Sequence, residues 1–249
     1  MKPLTLLSHN VFWFQGAPFA SDTPPEPDAG ILTRLCALYR ELAPDVICLQ
    51  EVQSREAFEQ ISGCLGMPGV WCAGVDLPQY GGAVFWQPGS GRSLGCSRDA
   101  AVRTQRMWQT VLIGEGDRCL RICNMHLPSA RQLGEARAAG QRLAELEDAI
   151  RSCPPPGLDV IAGDFNEPSG GGVDTCLNAH GYADLAALAG CADRPTNIGG
   201  GRGDFLRARR SLGERMRRYG VADKLQLACN GAGKLYLSDH LPLWTTLEH

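Results

Sequence analysis

The chain has 249 residues, of which 44% are hydrophobic and 20% charged, with a formal net charge of −3. This is the size and balance of one large α/β domain or, at most, two small ones. The charge argues against an unselective grip on a nucleic-acid backbone, which needs a basic face, and no apolar stretch approaches the length that crosses a membrane.

The opening Met1-Lys2-Pro3-Leu4-Thr5-Leu6-Leu7 reaches the polar Ser8-His9-Asn10 too soon for a secretory signal, so a cytoplasmic protein is expected. Leu4–Leu7 reads as a short strand. A Pro-rich loop from Gln15 to Gly30 follows, either a flap over a site or surface irregularity. Ile31, Leu32, Leu35, Leu38, Tyr39 and Leu42 recur at helical spacing, and Pro44 marks the stop. Asp45 to Glu51 resumes as a buried strand that ends on an acid. Phe58–Leu65 predicts a helix and Gly81–Trp86 a central strand. Met107–Ile113 and Leu120–Met125 predict two adjacent strands joined through Gly114-Glu115-Gly116-Asp117. Gln132–Ile150, rich in Ala, Leu, Glu and Arg, predicts the longest helix, broken by Cys153-Pro154-Pro155-Pro156-Gly157.

The run from Asp159 to Pro168 is the most informative stretch. Val160, Ile161 and Ala162 fit a strand covered on both faces, and Gly163 lets the backbone turn where a side chain would crowd a ligand. Residues two apart in an extended chain point the same way, so Asp164 and Asn166 are expected to project into one space. A plain turn is the competing reading, since Gly, Asp, Asn and Pro all form turns. Val173–His180 predicts a further helix. Arg202–Arg218 carries seven arginines against two acids and is read as a solvated helix face in preference to a phosphate-binding patch. Leu247-Glu248-His249 resembles the start of a vector-derived tag, which puts the boundary of a single domain at residue 246. The 11 cysteines lie scattered among apolar neighbours without the paired spacing of a zinc site, as buried thiols do in a reducing compartment.

Six strand ends carry polar residues: Asn10, Glu51, His126, Asp164 with Asn166, Asp204, and Asp239 with His240. Taken singly each has a bland explanation, as a cap, a turn or a satisfied core histidine. Their recurrence in one local context points to chemistry.

Ser8-His9-Asn10, Leu49-Gln50-Glu51-Val52, Asn124-Met125-His126-Leu127, Gly163-Asp164-Phe165-Asn166, Gly203-Asp204-Phe205-Leu206 and Ser238-Asp239-His240-Leu241-Pro242 follow one another in the order found in the endonuclease/exonuclease/phosphatase superfamily, the deoxyribonuclease-I-like phosphoesterases, which the chain resembles over Ser8 to Pro242. The resemblance implies a four-layer α/β sandwich: two mixed β-sheets face to face, helices outside, and the site at one edge of the sheets. It implies Glu51 as the main ligand of Mg²⁺ or Mn²⁺, with Asn10 and Asp239 in support. Asp164 would orient or deprotonate the attacking water, with Asn166 fixing it or a phosphate oxygen. His240 would donate to a nonbridging oxygen, its tautomer held by Asp204, and His126 would be a second donor or the leaving-group acid. His9 belongs to the opposite strand face and is structural. Trp13, Phe14, Trp71, Tyr80 and Trp108 either fill the core or stack on a base.

The expectation is a monomeric, divalent-metal-dependent phosphodiesterase or nuclease whose partner is a phosphoester, nucleic acid included. The alternative is a phosphatase or phosphodiesterase for a small molecule or lipid headgroup. A non-catalytic binding protein on the same fold would have lost one of Glu51, Asp164, Asn166 or His240, and none is lost.

Overall fold

The computed structural model describes residues 3–18, 21, 23–116, 119–231 and 233–249. The chain opens with β1 (Leu4–Asn10), α1 (Ala29–Leu42), β2 (Val46–Gln50), α2 (Arg55–Leu65), β3 (Gly69–Cys72) and β4 (Gly82–Trp86). There follow β5 (Gly91–Cys96), β6 (Met107–Ile113), β7 (Leu120–His126), α3 (Ala130–Leu133), α4 (Glu135–Ser152), β8 (Val160–Asp164), α5 (Gly172–Ala179), β9 (Tyr182–Asp184) and α6 (Leu185–Leu188). The last part holds β10 (Asp204–Arg209), α7 (Arg210–Gly213), β11 (Met216–Val221), β12 (Ala228–Gly231), β13 (Lys234–Tyr236) and β14 (Leu243–Leu247).

Two six-stranded sheets form, in the orders β11-β14-β1-β2-β4-β3 and β5-β6-β7-β8-β10-β9, with β12 and β13 a separate pair. Each large sheet is mixed, because β1 runs parallel to β2 and β7 parallel to β8 while the other neighbours are antiparallel. The alternation of side chains sorts the core into layers. Leu6, Val46, Cys48 and Val84 of the first sheet meet Ile122, Val160, Ala162 and Leu206 of the second. Leu7, Ile47 and Leu49 turn outward onto α1 and α2, and Cys123, Met125, Ile161 and Phe205 turn outward onto α4 and α5. The expected four-layer sandwich is the observed fold.

Polar side chains interrupt the apolar filling near the site end. Gln50 Nε2 donates to Asn124 Oδ1 at 2.7 Å and to Ser8 Oγ at 3.2 Å, and Asn124 Nδ2 donates back to the carbonyls of Leu49 (2.9 Å) and Ala83 (3.2 Å). All three side chains are buried, and every one of these bonds except that to Ser8 joins one sheet to the other.

Several expectations change in detail. The first strand continues through Ser8-His9 to Asn10. The helix read over 132–150 is two helices, because Gly134 adopts φ +75, a left-handed conformation that ends α3 and starts α4. The arginine-rich segment is not a helix face but β10, the single turn α7 and β11, with Arg207 fully buried beside Asp174 and Asn178 of α5. Leu247, set outside the domain by the sequence reading, is the last residue of β14, pairs with Leu4 and Met216, and is fully buried. Asp117 of the β6–β7 connection and Phe19, Ala20 and Asp22 of the Gln15–Gly30 loop lie outside the described residues. The 11 cysteines are all unpaired thiols. Among the described residues no helix is long and apolar enough to cross a membrane.

Candidate active site

Strand register assembles the site. His126 stands opposite Asp164 across β7 and β8, and Asp164 opposite Asp204 across β8 and β10, so three polar residues form one row along the inner edge of the second sheet. Asn10 closes β1 on the facing sheet and Glu51 follows β2 directly. Glu51 has φ +61 and the three residues Phe12, Trp13 and Phe14 have φ +50 to +54, so the chain leaves both strands through left-handed backbone. Such a conformation costs about 1–2 kcal/mol per non-glycine residue and is kept only where packing enforces it. Here it sinks all three aromatics. Gly163 permits the close approach of β7 to β8, since a Cβ there would lie 1.8 Å from the Met125 carbonyl oxygen.

These elements enclose a cleft of ≈ 390 Å³ lined by Glu51, Asp164, Asn166, Asp239 and His240 together with Phe12, Trp13, Tyr80, Arg106 and Gln132. His240 Nδ1 lies 2.9 Å and 3.0 Å from the two carboxylate oxygens of Asp204, and Asp204 Oδ2 also accepts from Thr196 Oγ1 at 2.7 Å. The other ring nitrogen, Nε2, stands 3.8 Å from both Asp164 Oδ2 and Asp239 Oδ1. Burial alone would lower the imidazole, but Asp204, Asp239 and Asp164 outweigh it and hold His240 well above the usual histidine range. Asp164 accepts from the Asn166 backbone N–H at 2.9 Å and from Asn10 Nδ2 at 3.1 Å. Burial opposes its charge, yet His126, His240 and Arg106 together keep its carboxyl below the usual range.

Two other acids lack such support. Burial lifts Glu51 from 4.5 to about 7 in spite of nearby Arg106, and burial also raises Asp239. Asp239 Oδ1 is covered and has no hydrogen-bond partner among the described residues. Two carboxylates raised by burial at one cleft, one of them with a covered oxygen that accepts no hydrogen bond, fit a hard divalent cation that takes oxygen ligands. Asp164, Asp204 and His240 also offer ligand atoms within 4.8 Å of one another. His240 is engaged by Asp204 there, so that trio is a hydrogen-bonded charge pair with Asp164 beside it.

Asn10 lies between two of the acids of the cleft. Its Oδ1 accepts from the Phe12 N–H at 3.0 Å, which turns Nδ2 toward Glu51 (3.1 Å) and Asp164 (3.1 Å). The amide thus bridges the two carboxylates, and its oxygen keeps a second lone pair. Asn166 lines the cleft beside Asp164, but not by strand alternation: with φ +51 it sits beyond β8, and its Nδ2 donates to the Leu127 carbonyl at 3.0 Å. His126 lies 3.3 Å from Asp164 Oδ2, beneath the cleft and fully buried. Burial, with Arg106 adding to it, lowers His126 to about 3, so the ring is neutral. His9 is on the outer face as expected, between the Tyr39 hydroxyl (2.6 Å) and the His240 carbonyl (3.1 Å).

Arg106, Gln132 and Thr196 were not singled out from the sequence. Arg106 precedes β6, whose first residue pairs with His126; an antiparallel strand enters at the edge where its neighbour leaves, which is the signal that would have found it. Trp13 and Tyr80, core or stacking candidates, are buried at 1% and 8% exposure, meet edge to face at 4.9 Å and border the cleft. In the Gln15–Gly30 loop, Thr23 and Pro24 border an adjoining groove with Trp71 and Gln79.

The sequence pattern of the endonuclease/exonuclease/phosphatase family matches residues 7–209. No curated protein matches the chain. Among solved structures, a mannosyl-6-phosphatase, Bt3783, of Bacteroides thetaiotaomicron VPI-5482 superposes with TM-score 0.71 at 15% identity, covering 99% of this chain and 100% of that one. D. rerio TDP2, solved with a single-strand DNA product, gives 0.68 at 16% identity with 99% of each chain covered. The human Nocturnin catalytic domain, solved with a bound sulfate anion, gives 0.66 at 16% identity over 99% of this chain and 93% of that one. At these identities the likeness speaks for the fold alone, whereas the sequence pattern covers most of the chain, and on that ground the chain belongs to the endonuclease/exonuclease/phosphatase family.

Proposed function

We propose that this protein is a divalent-metal-dependent phosphoester hydrolase acting by in-line attack of water, on a small phosphoester in preference to a polynucleotide. The observation that carries the reaction type is the convergence, in one cleft, of the Asp204–His240 pair, the fixed carboxylate of Asp164 and the poorly supported carboxylates of Glu51 and Asp239.

Glu51 and Asp239 would hold the cation, Mg²⁺ or Mn²⁺, which when bound offsets charge on the phosphoryl oxygens. Asp164 keeps its carboxylate at neutral pH with one oxygen fixed by the Asn166 N–H and the other by Asn10. It orients the attacking water and accepts its proton. His240, held as an imidazolium by Asp204, donates Nε2–H to a phosphoryl oxygen as charge builds there. Thr196 fixes the Asp204 carboxylate in turn. His126, neutral beneath the floor, orients Arg106 by accepting at Nε2 from its Nη1, and is unsuited to protonating a leaving group.

The preference for a small substrate rests on the arginine-rich segment. Arg202 is bound bidentately by Asp184 at 2.7 and 2.8 Å, Arg207 pairs with Asp174, Arg209 donates to the Leu158 carbonyl at 2.7 Å, and Arg217 pairs with Glu248. Four of the seven guanidiniums of the segment are thereby engaged, with Arg210, Arg215 and Arg218 left exposed, so less remains for a phosphate backbone. A nuclease is the second reading, favoured by the aromatic wall of Phe12, Trp13 and Tyr80, on which a base would stack. The test is a panel of p-nitrophenyl phosphate, bis(p-nitrophenyl) phosphate, sugar phosphates and single-stranded DNA, each with Mg²⁺, Mn²⁺ or chelator. Metal-dependent hydrolysis that falls by roughly 10²- to 10⁴-fold in Asp164→Asn is expected. Turnover of every substrate at wild-type rates in that variant would sink the assignment.

A further inference from the structure

Four carboxylates, those of Glu51, Asp164, Asp204 and Asp239, stand at or beneath one cleft into which an anionic phosphoryl group has to enter. His240 answers one of them. The second fixed cation is Arg106, 4% exposed, which lines the cleft and exerts its charge on both Glu51 and Asp164.

The guanidinium is held from several sides. Nη1 bonds His126 Nε2, Nη2 faces Gln132 Oε1 at 3.4 Å, and the group lies over the Tyr80 ring at 4.2 Å. Gln132 itself is tied to the Tyr80 hydroxyl at 3.0 Å. The backbone that carries Arg106 is clamped as well. Its carbonyl accepts from the Val75 N–H at 2.9 Å, and the preceding Gln105 N–H donates to Glu145 Oε1 of α4 at 2.8 Å. A side chain fixed in this way loses little freedom when it binds, which is the condition for a preorganised donor. Of the five N–H donors of the guanidinium the bonds to His126 and Gln132 use two, which leaves one N–H on each of Nη1 and Nη2, while the Nε–H is buried with no partner among the described residues. The two Nη N–H groups left over are the donors that a phosphoryl oxygen in the cleft would take.

We propose that Arg106 is a catalytic residue of this cleft, its guanidinium binding a nonbridging oxygen of the substrate phosphoryl group. The inference rests on the hydrolase reading and adds to it a second fixed positive charge, which has the planar fork that matches phosphate oxygens. It also makes Arg106 the partner of the anion and the competitor of the metal. Close to Glu51 and Asp164, the guanidinium repels a second cation while it attracts the phosphoryl group.

That opposition supplies a test that a merely structural arginine does not pass. In Arg106→Met, Mn²⁺ titrated without phosphate is expected to bind several-fold more tightly, because a neighbouring positive charge has gone. Inorganic phosphate titrated with saturating Mg²⁺ is expected to bind roughly 10- to 100-fold more weakly, as for one lost charge-assisted bond. In the same variant kcat/KM falls by roughly 10²- to 10³-fold, and added guanidinium ion restores part of it. Arg106→Lys, which keeps the charge and loses the fork, is expected to leave Mn²⁺ affinity near wild type and weaken phosphate by a smaller factor. It carries the test if the Met variant does not fold. Metal and phosphate affinities that fall together, or phosphate affinity that does not change, would overturn the role of Arg106. A wild-type protein that binds phosphate through Arg106 yet hydrolyses no ester would remove the hydrolase reading alone. Equal hydrolysis by wild type and the Met variant would remove Arg106 alone.

Discussion

Replacing Glu51 by glutamine isolates the cost of keeping a carboxylate ionised in this cleft. In the metal-free protein, burial lifts Glu51 from 4.5 to about 7, with Arg106 opposing and Asp239 adding to the rise. At about 1.4 kcal/mol per pH unit, ionising it in the folded state costs about 3 kcal/mol. The sign follows from which state holds the proton. Between 4.5 and about 7 the folded chain keeps the Glu51 proton and the unfolded chain has released it, so stability without metal falls as pH rises through that window and then levels off. Glutamine has no proton to release and still offers Asn10 an acceptor. Glu51→Gln is therefore expected to be about 2–3 kcal/mol more stable than wild type at about pH 8 in chelator, and level with it at about pH 4. Urea unfolding followed by tryptophan fluorescence over this range measures the difference. With Mg²⁺ added the order should narrow or reverse, because the cation satisfies Glu51 and has less to hold in the variant. A glutamine variant no more stable than wild type at high pH, or a difference that is constant across pH, would refute the reasoning.

Asp204→Asn removes the carboxylate that does most to raise His240. Since the imidazolium is the donating form and is lost as pH rises through its pKa, the alkaline limb of the pH–rate profile is expected to move to lower pH; a limb that stays put would detach Asp204 from His240. Gly163→Ala sets a Cβ 1.8 Å from the Met125 carbonyl oxygen at φ +141 and is expected to cost about 3 kcal/mol or more, so a wild-type urea midpoint would show that β7 and β8 do not approach this closely. Tyr39→Phe leaves buried His9 Nδ1 without its partner and is expected to cost about 1–3 kcal/mol of stability with kcat unchanged. A large fall in kcat there would give His9 a part in the chemistry.

The outline of the fold was legible because it is written in two local codes. Apolar runs such as Val160–Ala162 mark strands buried on both faces, and the polar residue that ends each run marks the sheet edge where the site lies. What stayed hidden is tertiary. The segment Asp204–Arg209 alternates with period two, Leu206 and Ala208 inward and Phe205 and Arg207 outward, but arginine at the outward positions read as solvent exposure. Arg207 is instead fully buried, its charge answered by Asp174 from an element some thirty residues away in the sequence. The left-handed turn Phe12-Trp13-Phe14 contains no glycine, asparagine or aspartate to announce it, since its conformation is imposed by the burial of the three rings. Asn166 lies in the expected cleft for a reason other than strand alternation. It reaches Asp164 through a backbone hydrogen bond, a turn device, where strand alternation was expected.

The candidate active site is divided between the two sheets: Asn10 and Glu51 come from one, His126, Asp164 and Asp204 from the other. Two apolar surfaces in contact would tolerate small sliding, because burial alone is indifferent to direction. The buried amides of Gln50 and Asn124 are directional, and they sit immediately behind Glu51 and two residues before His126. They act as a dowel between the halves, converting a greasy contact into a keyed joint whose alignment the chemistry can rely on. Replacing Asn124 by an apolar residue of similar size would then spoil the site without touching it, by letting its two halves drift out of true.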